Sequence, residues 1–170
     1  ELAPLVFFPC GAGQTVEQET RRAAQTLSVS MRVCSTARNG SYSWAAQKGI
    51  PALLLERGGN GRWTPEEVEA DCEDVLRLMN HLGIIKENFG VIRQMEIAKA
   101  VYEGAPADGY WFPEVCAGQE VLKDALLGRW KSSDGTQSCE VRARFAGRVL
   151  YETTALGVRR NDPLVAYGTA

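Results

Sequence analysis

Gly49-Ile50-Pro51-Ala52-Leu53-Leu54-Leu55-Glu56-Arg57-Gly58-Gly59-Asn60-Gly61 is an apolar run that stops at a carboxylate and then turns through three glycines. Opened by Pro51 and closed by glycines, it predicts a strand buried on both faces of a mostly parallel sheet. Open α/β sheets place their ligands at the C-terminal edge of the strands. Glu56 can therefore face a substrate there while Leu53, Leu54 and Leu55 stay in the core. On spacing alone an equal alternative has Glu56 capping the strand and pairing with Arg57 or another cation. The turn matches neither the dinucleotide fingerprint nor the P-loop, which needs a Lys-Ser/Thr pair after its last glycine.

Upstream, Leu5-Val6-Phe7-Phe8 is a strand with no lead-in, followed by a turn at Pro9-Cys10-Gly11-Ala12-Gly13. Thr15 with Gln18 has the spacing of a capping box, opening a helix that carries Val16, Thr20, Ala23, Ala24 and Leu27 on one face. Met31-Arg32-Val33-Cys34 follows as a short strand, which completes a parallel strand–helix–strand unit. The polar loop Ser35 to Tyr42 leads into a short helix ending near Gln47. Arg38, Asn39, Ser41 and Tyr42 are its candidates for substrate contact, since binding groups concentrate on such loops.

Downstream, Thr64 and Glu67 form a second capping box with Pro65 in the first turn. That helix runs to about Leu82, with Val68, Cys72, Val75, Leu76, Met79 and Leu82 as its predicted core face and Gly83 as its stop. His81, the only histidine, sits in its last turn, where it suits the helix dipole and has no second ligand at metal spacing. From Val91 onward short β-type runs alternate with glycine turns. Asp108 to Phe112, Ala117 to Leu122 and Leu127-Gly128 are echoed by Ala146 to Tyr151, Arg160 to Val165 and Tyr167-Gly168. Two similar β units imply a small closed or sandwiched barrel with pseudo-twofold symmetry. The expected fold class is thus α/β plus all-β, with an α/β domain at residues 1–91 and a β domain at 92–170.

The chain has 170 residues, 45% of them hydrophobic, and a formal charge of -2, so it offers no basic footprint for nucleic acid. No apolar run approaches the roughly 20 residues that span a bilayer, and no signal-peptide pattern opens the chain, so a cytoplasmic location is expected. The five cysteines are widely spaced with no Cys-x-x-Cys pair, which predicts free buried thiols.

The Gly49-Ile50-Pro51 lead, the strand ending Leu55-Glu56-Arg57-Gly58-Gly59, the Trp63-Thr64-Pro65-Glu66 helix start and the two-part β domain together resemble one family. They look like the C-terminal portion of the succinylglutamate desuccinylase/aspartoacylase family, the deacylase branch of the zinc-carboxypeptidase fold. The resemblance implies a partial α/β zinc-hydrolase-like domain followed by a barrel-sandwich-like β domain. It makes Glu56 the general acid/base for hydrolysis of a small N-acylated amino acid or amine. Where aspartoacylases carry a substrate-binding arginine, the corresponding position here is Ala46, so Arg38 is the candidate carboxylate clamp. Asn39, Ser41 and Arg57 complete the substrate-binding candidates.

The family's zinc ligands lie upstream of the matched region, and Glu1-Leu2-Ala3-Pro4 resembles the segment shortly after the last of them. The resemblance therefore implies a C-terminal fragment that holds no zinc and is inactive alone, with zinc as cofactor in the parent. An exposed apolar edge would favour self-association into a homo-oligomer. The competing function is a non-catalytic binding or oligomerisation module. The β domain also resembles biotinyl/lipoyl domains, but its tip Ser132-Ser133-Asp134-Gly135-Thr136 offers no lysine for a covalent cofactor.

Overall fold

The computed structural model describes all of Glu1–Ala170. The chain forms two compact units, one of residues 4–58 and 62–97, the other of residues 1–3, 59–61 and 98–170.

The first unit is α/β. In chain order it contains β1 (Leu5–Pro9), α1 (Gln14–Ala24), β2 (Met31–Ser35), α2 (Ser41–Gln47), β3 (Leu54–Glu56), α3 (Pro65–His81) and β4 (Met95–Ile97). The sheet order is β3-β1-β2-β4. β1 and β2 run parallel, with Leu5 opposite Met31 and Phe8 opposite Cys34, and β2 is parallel to β4. Because β4 pairs with β2, this unit continues to Ile97, beyond the boundary expected near residue 91. Val6, Phe8, Ala24, Leu27 and Val29 form the core beneath α1.

Three expectations are corrected. β3 is neither parallel nor buried on both faces: it is a three-residue edge strand, antiparallel to β1, and half-buried throughout. α1 has no capping box at Thr15, which lies inside the helix. Gly13 is the N-cap, at φ 106°, a backbone geometry that suits glycine.

The apolar stripe of α3 does not face the core. Val68, Cys72, Val75, Leu76 and Leu82 are exposed, whereas Asp74 and Arg77 are buried. The helix start is as predicted, with the Thr64 Oγ1 accepting from the Glu67 N–H at 3.2 Å, a Glu67 carboxylate oxygen accepting from the Thr64 N–H at 2.8 Å, and Pro65 in the first turn. Val75→Lys should therefore change the stability of this chain by no more than about 0.5 kcal/mol, whereas truncation of a core position costs several times that. Denaturant melts of the two proteins check this.

The second unit is all-β: β5 (Lys99–Gly104), β6 (Gly109–Pro113), β7 (Glu120–Val121), β8 (Leu126–Ser132), β9 (Ser138–Arg142), β10 (Gly147–Glu152), β11 (Gly157–Val158) and β12 (Pro163–Thr169). They make two four-stranded sheets, β5-β12-β10-β7 and β11-β6-β8-β9, rather than a closed barrel. One core serves both, with Trp111, Leu127 and Trp130 from one sheet and Val149, Leu164 and Tyr167 from the other. The internal repeat is real and exchanges strands. β6 pairs with β8 as β10 pairs with β12, and each half gives its short strand to the other, β11 to β6 and β7 to β10. The counterpart of β7 is therefore Gly157–Val158, not the stretch from Arg160 to Val165, which leads into β12 and supplies its first residues.

Gly128 marks the tightest approach in this core. A Cβ there would lie 2.3 Å from Trp111 Cη2 and 2.7 Å from the Phe112 carbonyl oxygen, and Trp111 is itself fully buried. Gly128→Ala should destabilise the β unit by about 2–3 kcal/mol, because the ring cannot move without breaking the β6–β8 ladder. An unchanged melting temperature would show that these strands can part without loss.

Candidate functional site

β3 hands Glu56 to the edge of the α/β sheet. The antiparallel register sets Leu54 opposite Phe7 and Glu56 opposite Leu5, so Glu56 lies level with the start of β1. Its carboxylate accepts no hydrogen bond and meets no cation within the chain, and partial burial alone holds its pKa above the ordinary value. Loss of solvent penalises the ionised form, and nothing offsets the penalty. A half-buried, unpaired carboxylate of this kind is a candidate for proton transfer.

Arg57 does not pair with Glu56. Its guanidinium lies against Asp74, which is fully buried, and donates to Asp71 at 2.7 Å and to the Ser28 hydroxyl at 2.9 Å. With its side chain only 9% exposed, Arg57 fastens the end of β3 to α3 and to the turn before β2. That is the anchoring task of an ion pair, and it leaves the guanidinium committed within the chain. Gly58, at φ 75°, then turns the backbone so closely that a Cβ would lie 2.9 Å from the Arg62 carbonyl.

The loop candidates are not brought to Glu56. Arg38, Asn39 and Ser41 are exposed on the segment that leaves the C-terminal end of β2. Nη2 of Arg38 lies 3.9 Å from the Cβ position of Gly11, beyond the end of β1. Glu56 is at the other end of that strand, and the five steps from Leu5 to Cys10 span about 16 Å. The antiparallel direction of β3 causes the separation, since it turns the C-terminal end of β3 toward the N-terminal ends of β1 and β2. Tyr42 is buried and bonds the Ser35 hydroxyl at 2.6 Å, which fixes α2 to β2.

The cysteines also depart from expectation. Cys10 and Cys34 are joined in a disulfide, with Cα atoms 5.6 Å apart, and Cys72, Cys116 and Cys139 are free but exposed rather than buried. Parallel pairing of β1 with β2 brings the first two together, a juxtaposition invisible in their spacing. No three His, Cys, Asp or Glu side chains converge as a metal site requires, and His81 stands exposed at the end of α3. The residues of this chain do not fit a zinc centre. No helix is long and apolar enough to cross a membrane.

The ectoine utilization protein EutE (DoeB) from Ruegeria pomeroyi superposes with a TM-score of 0.85 at 18% identity, over 99% of this chain and 54% of that one. A succinylglutamate desuccinylase/aspartoacylase from Rhodobacter sphaeroides gives 0.78 at 22% identity, again over 99% of this chain and 54% of the other. The chain has the succinylglutamate desuccinylase/aspartoacylase fold. An aspartoacylase family protein from Mesorhizobium loti carries the same fold, with a TM-score of 0.76 at 16% identity over 100% of this chain and 54% of that one. No family model and no curated protein matches the sequence. The chain spans about half the length of these solved proteins.

Proposed function

We propose that this chain is the C-terminal portion of a zinc-dependent deacylase that hydrolyses the amide bond of a small N-acylated amino acid or amine, with Glu56 as its proton shuttle. The observation that carries the proposal is the state of Glu56: half-buried, without a partner, and shifted upward by desolvation at the end of a strand. Amide hydrolysis needs one group that takes a proton from water as its oxygen adds to the carbonyl carbon. The same group then returns that proton to the departing amine nitrogen. A carboxylate with a raised pKa does both more readily than one held low by an ion pair. The likeness to deacylase-fold proteins about twice as long supports the same reading.

Zinc, on this proposal, is held by residues outside the chain. The free edge of β3 and the exposed stripe of α3 are covered by the remainder of the catalytic domain, so the 170 residues alone are inactive. Arg38, Asn39 and Ser41 stand at the far end of β1 and are secondary candidates for substrate contact. The test is an assay of the complete, folded, zinc-loaded gene product against N-acetyl and N-succinyl amino acids, read as release of free amine. Turnover of at least one of them is expected. Absence of amine from every member of both series would overturn the proposal.

A further inference from the structure

We propose that Cys10 and Cys34 form a reversible dithiol–disulfide site that sets how firmly the loop of residues 36–40 is held against the Gly11 turn. The inference goes beyond hydrolysis and stands whether or not the parent is a deacylase. Four observations carry it. The bond joins the exits of two neighbouring parallel strands, at the points where the loops toward α1 and α2 depart. Both cysteines pack at the margin of the core formed by Val6, Phe8, Ala24, Leu27 and Val29 and are half-buried as residues, so the pair lies at the border of the core and not in its centre.

The other three cysteines are free and exposed. Free thiols in the same chain set a context in which thiol–disulfide exchange can operate, since thiolates attack disulfides directly. Finally, the Cys10 N–H donates to the Ser35 carbonyl at 2.8 Å, so the strands stay in register without the covalent bond and the pair can close again. A cysteine thiol packs as a small apolar group, and the reduced form keeps the same core contacts.

Apart from Gly40, which caps α2 through Ser43 and Trp44, the loop is fastened at few points. The Ala37 N–H donates to the Ser35 hydroxyl at 3.3 Å, the Arg38 carbonyl accepts from Gln47 Nε2 at 3.2 Å, and Arg38 lies over Gly11. Gly11, at φ 73°, directly follows Cys10 and donates its N–H to the Glu17 carboxylate at 3.0 Å, so the turn keeps only hydrogen bonds once the sulfur is released.

The chemistry balances with simple partners. A dithiol such as dithiothreitol attacks one sulfur as its thiolate, the Cys10–Cys34 bond breaks, and the reductant's second thiol resolves the mixed disulfide. Two electrons and two protons pass to the protein, and the reductant leaves as its own cyclic disulfide. In the other direction one thiolate attacks hydrogen peroxide, giving a sulfenic acid and water, and the second thiol displaces a further water to remake the bond.

Two measurements on this chain test the proposal. Alkylation in denaturant without reductant should add three groups, and alkylation after dithiothreitol five. Removal of the reductant followed by stoichiometric peroxide should restore three. Limited trypsin digestion should cut after Arg38 several-fold faster in the reduced protein, while cutting after the exposed Arg62 stays unchanged. The C10S/C34S variant should be cut at the faster rate in both buffers. If that variant does not fold, C72S/C116S/C139S supplies the same comparison between reduced and oxidised states. Five groups added without reductant, failure to return to three, or equal cutting at Arg38 in both states would each overturn the proposal.

Discussion

Asp74→Ala should lower the stability of the α/β unit by about 3–5 kcal/mol, on the order of 15 °C in melting temperature for a unit of this size. Asp74 is fully buried, and its two oxygens serve different elements: one accepts from the Ser28 N–H and the other holds Arg57. Its removal strands a guanidinium that is 9% exposed, with Asp71 as its one remaining carboxylate, and Asp71 is half in solvent. It also leaves the Ser28 N–H without its acceptor. Neither group can regain water without moving α3 away from Arg57 and the turn at Ser28, and that sets the size of the loss.

Replacing both charges, as in Arg57→Met with Asp74→Leu, should cost less than the sum of the single changes, because no unpaired charge then remains. Thermal and urea melts of the four proteins give the coupling energy. Single-variant losses below about 1 kcal/mol would mean that the end of β3 is held by something other than this pair. The result bears on the site as well. Arg57 is the residue after Glu56, so loosening it frees the carboxylate that β3 presents.

Some of this was legible in the sequence. Apolar residues ending in Glu56, the capping box at Thr64 and the twofold repeat of the β unit are local patterns, and each appears in the structure as an element or a symmetry. What failed was information that exists only between elements. The periodicity of α3 reveals an apolar stripe but not which side lies inward. Here the inward side is the polar one, because Asp74 meets Arg57 and Ser28, and Arg77 donates to the Thr26 and Gly90 carbonyls.

Strand direction is equally hidden. Three leucines and a glutamate read the same in parallel and antiparallel pairing, yet the antiparallel choice moves Glu56 to the opposite end of β1 from Arg38. The disulfide depends on register, since Cys34 faces Phe8, one pair short of the strand end that delivers Cys10. The slip in the repeat has a simpler cause. Gly157–Val158 is only two residues long, too short to show a pattern of its own.

Glu56→Gln should separate stability from activity in opposite directions. Burial raises the folded-state pKa of Glu56 above the ordinary glutamate value, with no partner to compensate. A carboxyl raised in this way favours the folded state while it is protonated, below its unfolded pKa, and loses that contribution as the pH climbs through the folded value. At neutral pH the ionised side chain is therefore a burden on the fold. Glutamine removes the charge at nearly constant shape, so the variant should melt at the same temperature or higher at pH 7. The advantage should fade toward pH 4, where both side chains are neutral.

On the proposed deacylase function, the amide in the full-length protein can neither accept the proton of the attacking water nor return it to the amine. The turnover number should accordingly fall by about two to four orders of magnitude while the protein stays folded. A structural glutamate predicts the reverse pattern, with weaker folding at neutral pH and hydrolysis largely intact. Paired melting curves at pH 4 and pH 7, read beside single-turnover rates for the same two proteins, distinguish a carboxylate kept for proton transfer from one kept for the strand.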